Sequence, residues 1–291
     1  MRIALIGANG QLGSQLRSVL RAELIPLGRA EVDIAESEQV ESALDRTAPQ
    51  IVVNTAAYNL VDRAEDEPET AYRVNALGPR NLAIWCGRHE VPLLHVSTDY
   101  VFSGRVDESG AETIRSVPYT ERDCPAPLSA YGVSKLAGEW YVRQHCRRHY
   151  VVRTCGLYGR AVSRGGGNFV ETMLRLGREG RTVRVVNDQQ CTPTSTSDLA
   201  DAITALIETE AYGLYHATND GATTWYEFAQ TIFRVAELDV DLRPISSAEY
   251  GAKAPRSLYS VLDIGKLTAT IGTRLRPWQE ALTMYLADSG P

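Results

Sequence analysis

Tyr131 and Lys135 stand four residues apart in Ser129-Ala130-Tyr131-Gly132-Val133-Ser134-Lys135, a spacing that sets a phenol beside an ammonium on one face of a helix. The cation is scarce. Arginine supplies nearly all the positive charge, and the only lysines are Lys135, Lys253 and Lys266. With 14 tyrosines and three lysines in 291 residues, chance alone produces such a pair about 0.14 times. A neighbouring ammonium favours phenolate and pulls a tyrosine below its usual value of about 10, which makes it an acid or base for an alcohol or ketone oxygen near neutrality. Arginine cannot take the place of a lysine that must hold a phenol and a ribose as a compact charge on a flexible stem. The competing reading is a surface tyrosine lying along a lysine stem.

A pair of this kind needs a rigid scaffold, and the chain's rhythm describes one. Apolar runs alternate with helical patterns: Ile3 to Ile6 then Gln11 to Leu20; Ile51 to Asn54 then Asn75 to Arg88; Leu93 to Ser97 then Tyr131 to Arg147; then Tyr150 to Arg153. This is the βαβ signature of an α/β fold, a Rossmann-type doubly wound parallel sheet. From about Gly156 the pattern loosens into Arg164-Gly165-Gly166-Gly167 and shorter strands, Val183 to Val186 and Gly213 to Ala217. The sequence therefore predicts a dinucleotide-binding domain over residues 1–153 plus roughly 190–210. A smaller mixed α/β substrate-binding part covers roughly 154–189 and 211–291. A helix from Ser197 to Glu208, opened by Ser197 and Asp198, is expected to return to the main sheet. The polar stretch Gly104 to Ser116 reads as a loop just before the tyrosine helix.

Gly7-Ala8-Asn9-Gly10-Gln11-Leu12-Gly13 follows the first strand and opens the first helix, the context in which a glycine motif holds a pyrophosphate. Gly7 would turn the chain, Gly10 would admit the phosphates to the backbone and Gly13 would let helix and sheet pack closely. A tight turn without ligand is the alternative. After the second strand the chain reads Pro26-Leu27-Gly28-Arg29, with an arginine and no acid at the tip, so a 2′-phosphate is admitted and NADPH is expected, NADH remaining admissible. Asp33 and Ile34 are placed either on the adenine or in the turn into the next helix.

Composition excludes several classes. A 44% hydrophobic, 23% charged chain has ordinary globular composition, and its net charge of −6 disfavours a nucleic-acid surface. No stretch is apolar enough to span a membrane, and Met1 leads directly into a strand, so a cytoplasmic location is expected. Five scattered cysteines without a Cys-x-x-Cys pair argue against disulfides and zinc. His145, Cys146 and His149 sit among arginines at a helix end, where basic residues are favoured anyway, so no metal is predicted. An oligomeric state is not set, and a homodimer is compatible.

In order along the chain come the glycine motif, Asn54-Thr55-Ala56-Ala57-Tyr58, Val61-Asp62-Arg63-Ala64-Glu65, Asn75, Ser97-Thr98-Asp99-Tyr100-Val101-Phe102 and Tyr131-Gly132-Val133-Ser134-Lys135-Leu136-Ala137-Gly138-Glu139. Together they resemble the extended short-chain dehydrogenase/reductases, most closely the dTDP-4-dehydrorhamnose reductases. The likeness continues through Asn168-Phe169-Val170, Asp188-Gln189, Pro193-Thr194, Asp198-Leu199-Ala200 and Tyr259-Ser260-Val261-Leu262-Asp263.

The resemblance implies reduction of the C4 ketone of a dTDP-linked 4-keto-6-deoxyhexose. Thr98 would aim at the carbonyl, Tyr131 would donate the proton, and Lys135 would hold the nicotinamide ribose. Ala56, Ala57, Tyr58 and Asn75 would join the cofactor site. Thr98, Asp99, Tyr100, Tyr131, Gly156, Asn168 and Arg256 would meet substrate, Arg256 at the diphosphate, with Arg160 and Arg164 as further candidates.

Related 4,6-dehydratases carry an Asp-Glu pair after the threonine, whereas Asp99 is followed by Tyr100, which fits reduction and not elimination. Three departures stand out. Gly156 replaces a tryptophan, implying loss of a stacking surface of about 1 kcal/mol and a larger pocket. The Gly104 to Ser116 loop is longer than usual and could be a lid or decoration. Gln15 replaces a glutamate that bridges a metal in some members. A ketoreductase for another deoxysugar and a non-catalytic NADP-binding subunit are the rival readings.

Overall fold

A computed structural model describes residues 1–105, 114–160 and 167–288. The Gly104 to Ser116 reading falls largely, and Arg164 wholly, outside the described residues. Strands β1 (Arg2–Ile6), β2 (Glu23–Leu27), β3 (Ile51–Asn54), β4 (Leu93–Thr98) and β5 (His149–Thr154) are joined by helices α1 (Gln11–Val19), α2 (Ser37–Thr47), α3 (Val61–Ala64), α4 (Pro68–Tyr72), α5 (Gly78–Arg88) and α6 (Ala130–His145). Then follow β6 (Leu157–Tyr158), α7 (Phe169–Arg178), β7 (Val183–Val186), β8 (Gln190–Cys191), β9 (Thr194–Ser195), α8 (Thr196–Ile207) and β10 (Gly213–His216). The chain ends with β11 (Thr223–Thr224), α9 (Trp225–Val235), β12 (Leu242–Ile245), α10 (Ser247–Tyr250), α11 (Gly265–Ile271) and α12 (Trp278–Asp288).

The six-stranded main sheet runs β10-β5-β4-β3-β1-β2, every pair parallel. Alternation along β1 explains the two layers. Ile3 and Leu5 face a core shared with α1, α8 and α11, and Ala4 and Ile6 face one shared with α2, α5 and α6. The strand order reverses between β1 and β3, which opens a crevice at their carboxyl ends.

Gly213–His216, expected in the smaller part, is instead the edge strand of the main sheet, paired in register with Tyr150 to Arg153. Leu214 and Tyr215 alternate onto the two cores. So short a segment carries no clear period, and its partner β5 is distant in sequence. As expected, α8 returns to the main core, although its cap is the Ser195 hydroxyl and not Ser197 or Asp198.

The smaller part gathers β7, α7, α9 and α12 around Tyr158, Phe228, Trp278 and Leu282. Gln11 ties it to the cofactor end, its side-chain amide donating to Gly159 O at 3.3 Å. Among the described residues no helix is long and apolar enough to cross a membrane.

Candidate active site

The glycine motif closes the crevice at the β1/β3 switch. Gly7 has φ +78°, and a Cβ there would lie 2.6 Å from Ala56 N, so only glycine turns without displacing the β3 loop. A Cβ on Gly13 would meet Gly7 O at 2.2 Å, so α1 packs tightly on β1. Gly10 is the N-cap of α1 with no side-chain cap, and the first turn holds no acid. Uncapped amides at a glycine-lined turn fit a pyrophosphate. Leu12 is buried in the core beneath, so it supports the motif from the inside, and Asn9 is exposed beside Gly28.

At the tip of β2 the structure corrects the sequence reading. Arg29 is exposed, but Glu31 folds back and its carboxylate accepts from Gly28 N–H at 2.8 Å, so an acid does stand at the tip. It was missed because it lies three residues beyond Gly28 and reaches it only through a turn. Asp33 accepts from Ala35 N–H, making the turn into α2, and the Ile34 side chain is buried against Gly78.

The β3 loop is held by Asn75, fully buried in a π-helical turn at Arg73–Leu77. Its amide accepts from Tyr58 N–H at 2.8 Å and donates to Tyr58 O and to Ser134 Oγ. One side chain thus links the loop bearing Ala56, Ala57 and Tyr58 to α6. A Cβ on Gly138 would lie 2.2 Å from Asn75 O, so that glycine lets α6 approach the π turn.

Helix α6 starts at Ser129, whose hydroxyl accepts from Gly132 N–H at 3.1 Å. It places Tyr131 and Lys135 against the end of β4, both buried. The Thr98 hydroxyl stands beside the Tyr131 phenol and donates to Asp99 Oδ1 at 3.1 Å. Ser260 donates to the other Asp99 oxygen at 2.6 Å. The Tyr131 ring meets Tyr100 edge-on, 5.3 Å between centroids.

Burial raises the Tyr131 phenol, with the Thr98 hydrogen bond working against it. This corrects the expectation that Lys135 pulls Tyr131 down: the Lys135 ammonium donates to Val96 O at 2.7 Å, and loss of water dominates both groups. A phenol that keeps its proton suits a proton donor. Burial raises Asp99 as well, despite the hydrogen bonds from Ser260, Cys155 and Thr98.

Lys135 is lowered by burial from 10.5 to about 8, with the Glu139 carboxylate opposing the shift. Between those values the unfolded chain holds a proton that the folded chain has released, so this group adds stability as pH rises from about 8 to about 10.5. Lys135→Met is expected to abolish that increment. In urea unfolding across this window the wild type should gain on the variant with rising pH, and a constant difference would refute the assignment.

A pocket opens beside this centre, lined by Asp99, Tyr100, Ser129, Cys155, Gly156, Gln189, Cys191, Trp225, Arg256 and Ser260 among others. Two predicted substrate residues have other partners. Arg256 lines the pocket, yet its guanidinium is bidentate on Asp62, at 3.0 and 2.9 Å, so it is braced by a carboxylate that the sequence reading left without a role. Asn168 caps α7, accepting from Glu171 N–H and donating to Gly159 O at 2.8 Å, and does not line this pocket.

Gly156 lines the pocket, and the space beside it is taken. At φ +53° a Cβ would lie 3.1 Å from Trp225 Cη2, so an indole from α9 occupies the neighbouring space.

The dinucleotide crevice and the buried Thr98, Tyr131 and Lys135 define the class: an oxidoreductase of the extended short-chain dehydrogenase/reductase type. A family profile described as RmlD substrate binding domain matches residues 1–290, and the chain belongs to that family. It is 42% identical over 287 residues to a dTDP-4-dehydrorhamnose reductase of Streptomyces griseus, across 95% of this chain and 90% of that one. A probable dTDP-4,6-dihydroxy-2-methyloxan-3-one 4-ketoreductase of Streptomyces antibioticus is 40% identical, covering 99% of this chain and 95% of that one. The crystal structure of dTDP-4-dehydrorhamnose reductase from Bacillus anthracis in complex with NADP matches with TM-score 0.92 at 38% identity, over 99% of both chains.

Proposed function

We propose that this protein is an NADPH-dependent sugar-nucleotide 4-ketoreductase acting on a dTDP-linked 4-keto-6-deoxyhexose, with dTDP-4-dehydrorhamnose the leading substrate and dTDP-L-rhamnose its product. The observation that carries the reading is the buried Tyr131 phenol, one helical turn from Lys135 and beside a Thr98 hydroxyl that is bonded to Asp99. The family membership and the NADP-bound relative support the cofactor and substrate classes.

The uncapped amides of α1 and the loop at Ala56 to Tyr58 would hold the dinucleotide. When bound, the nicotinamide supplies hydride. Tyr131 donates its proton to the C4 oxygen, and the Thr98 hydroxyl positions that oxygen by turning its single proton from Asp99 to it. Lys135 orients the cofactor ribose with its ammonium. Asp99 is followed by Tyr100, which cannot act as a second carboxylate, so the site reduces and does not eliminate water.

The test is the fall in NADPH absorbance on adding dTDP-4-keto-6-deoxy-L-mannose, with the product sugar identified by NMR. Rapid oxidation yielding dTDP-L-rhamnose is expected. Tight NADPH binding without turnover would overturn the substrate assignment. The Streptomyces antibioticus likeness favours another dTDP-linked ketosugar as the next to try.

Arg29 and Glu31 oppose one another at the 2′ position. Arg29→Ala is expected to weaken NADPH about tenfold and NADH much less, and Glu31→Gln to tighten NADPH more than NADH. Equal shifts for the two cofactors in fluorescence titration would remove both residues from 2′-phosphate recognition.

A further inference from the structure

We infer that Trp225 determines sugar specificity, its indole forming the apolar wall against which the C–H face and C6 methyl of the 6-deoxyhexose lie, with Gly156 kept free of a side chain to admit it. The inference rests on the proposed function and deepens it.

The walls of the pocket differ in chemistry. Asp99 and Ser260 supply hydrogen-bonding groups next to Thr98, whereas Gly156 and Trp225 present backbone and indole. A 6-deoxyhexose is two-sided in the same sense, with hydroxyls on one side and C–H groups with a methyl on the other. An indole face gains from the second side and offers nothing to a hydroxyl. Cys155 touches Asp99 and immediately precedes Gly156, so the indole stands on the side of the pocket next to Asp99.

The indole is held before any ligand arrives. Trp225 is the first residue of α9, whose N-terminus is fixed by a capping box between Thr224 and Glu227. Phe169 and Phe228 pack on the ring with centroids 4.8 and 6.3 Å away. Little side-chain freedom is left to lose on binding. Gly156 completes the arrangement: the Cβ of any other residue, at φ +53°, would press on the ring edge at Cη2 and on Pro193.

The experiment measures KM for dTDP-4-keto-6-deoxy-L-mannose and the dissociation constants of dTDP and NADPH in the wild type and in Trp225→Leu, Trp225→Phe and Gly156→Ala. Trp225→Leu is expected to raise KM about tenfold, with dTDP and NADPH binding within about twofold of wild type. Trp225→Phe should recover most of the loss. Gly156→Ala should raise KM as well, and the Gly156→Ala/Trp225→Leu double variant should lose less than the two singles combined. An unchanged KM in Trp225→Leu overturns the inference alone. Equal weakening of dTDP and substrate overturns it too, since the indole would then lie under the base. Failure of the wild type to reduce this ketosugar overturns the proposed function, and the inference falls with it.

Discussion

Tyr131→Phe is expected to lower kcat by about 10²-fold or more while leaving NADPH affinity nearly unchanged. The phenol is buried beside Thr98 and keeps its proton because burial raises it, so the substitution removes one proton and almost no packing. The ring can keep its edge-on contact with Tyr100, and Lys135 keeps its bond to Val96 O. Steady-state turnover and a fluorescence titration with NADPH separate the two effects. Near-normal turnover would remove Tyr131 as proton donor.

Arg153→Met is expected to have the largest effect on stability, a loss of about 3–5 kcal/mol in urea unfolding at neutral pH. Arg153 and Glu139 are each only 1% exposed and form a bidentate pair at 2.8 and 2.6 Å, joining β5 to α6. Removing the guanidinium strands a buried carboxylate whose other partner is Ser97 Oγ at 2.5 Å. Replacing both, as Arg153→Met/Glu139→Leu, should restore much of the loss because neither member of the pair is then left without the other. A single-variant cost below about 1 kcal/mol would show that the pair does not hold the strand and helix together. The catalytic geometry is at stake as well, since Ser97 precedes Thr98 and Glu139 lies one turn after Lys135.

What the sequence determined by itself is whatever depends on neighbours along the chain. The alternation of Ile3 to Ile6 with Gln11 to Leu20 reports a strand and a helix because periods of about two and 3.6 residues sort side chains locally. Tyr131 and Lys135 were legible because four residues bring them onto one helical face, and the glycine motif because its turn and cap span seven residues. Family motifs added Thr98, which spacing alone does not mark.

Contacts between residues far apart in sequence were decided by the tertiary structure. Glu139 could be seen in its motif, but its partner Arg153 lies on another strand, and the pair forms only when α6 docks on β5. Asp62 meets Arg256 across 194 residues of sequence, and Ser260 reaches Asp99 across 161. The direction of the Tyr131 shift also waited for the fold, because loss of water depends on everything packed around a group, whereas the sequence offered only one nearby charge. Gly156 read as a missing aromatic for the same reason: local order shows a side chain deleted, and only the packed molecule brings Trp225 to that place from the start of α9.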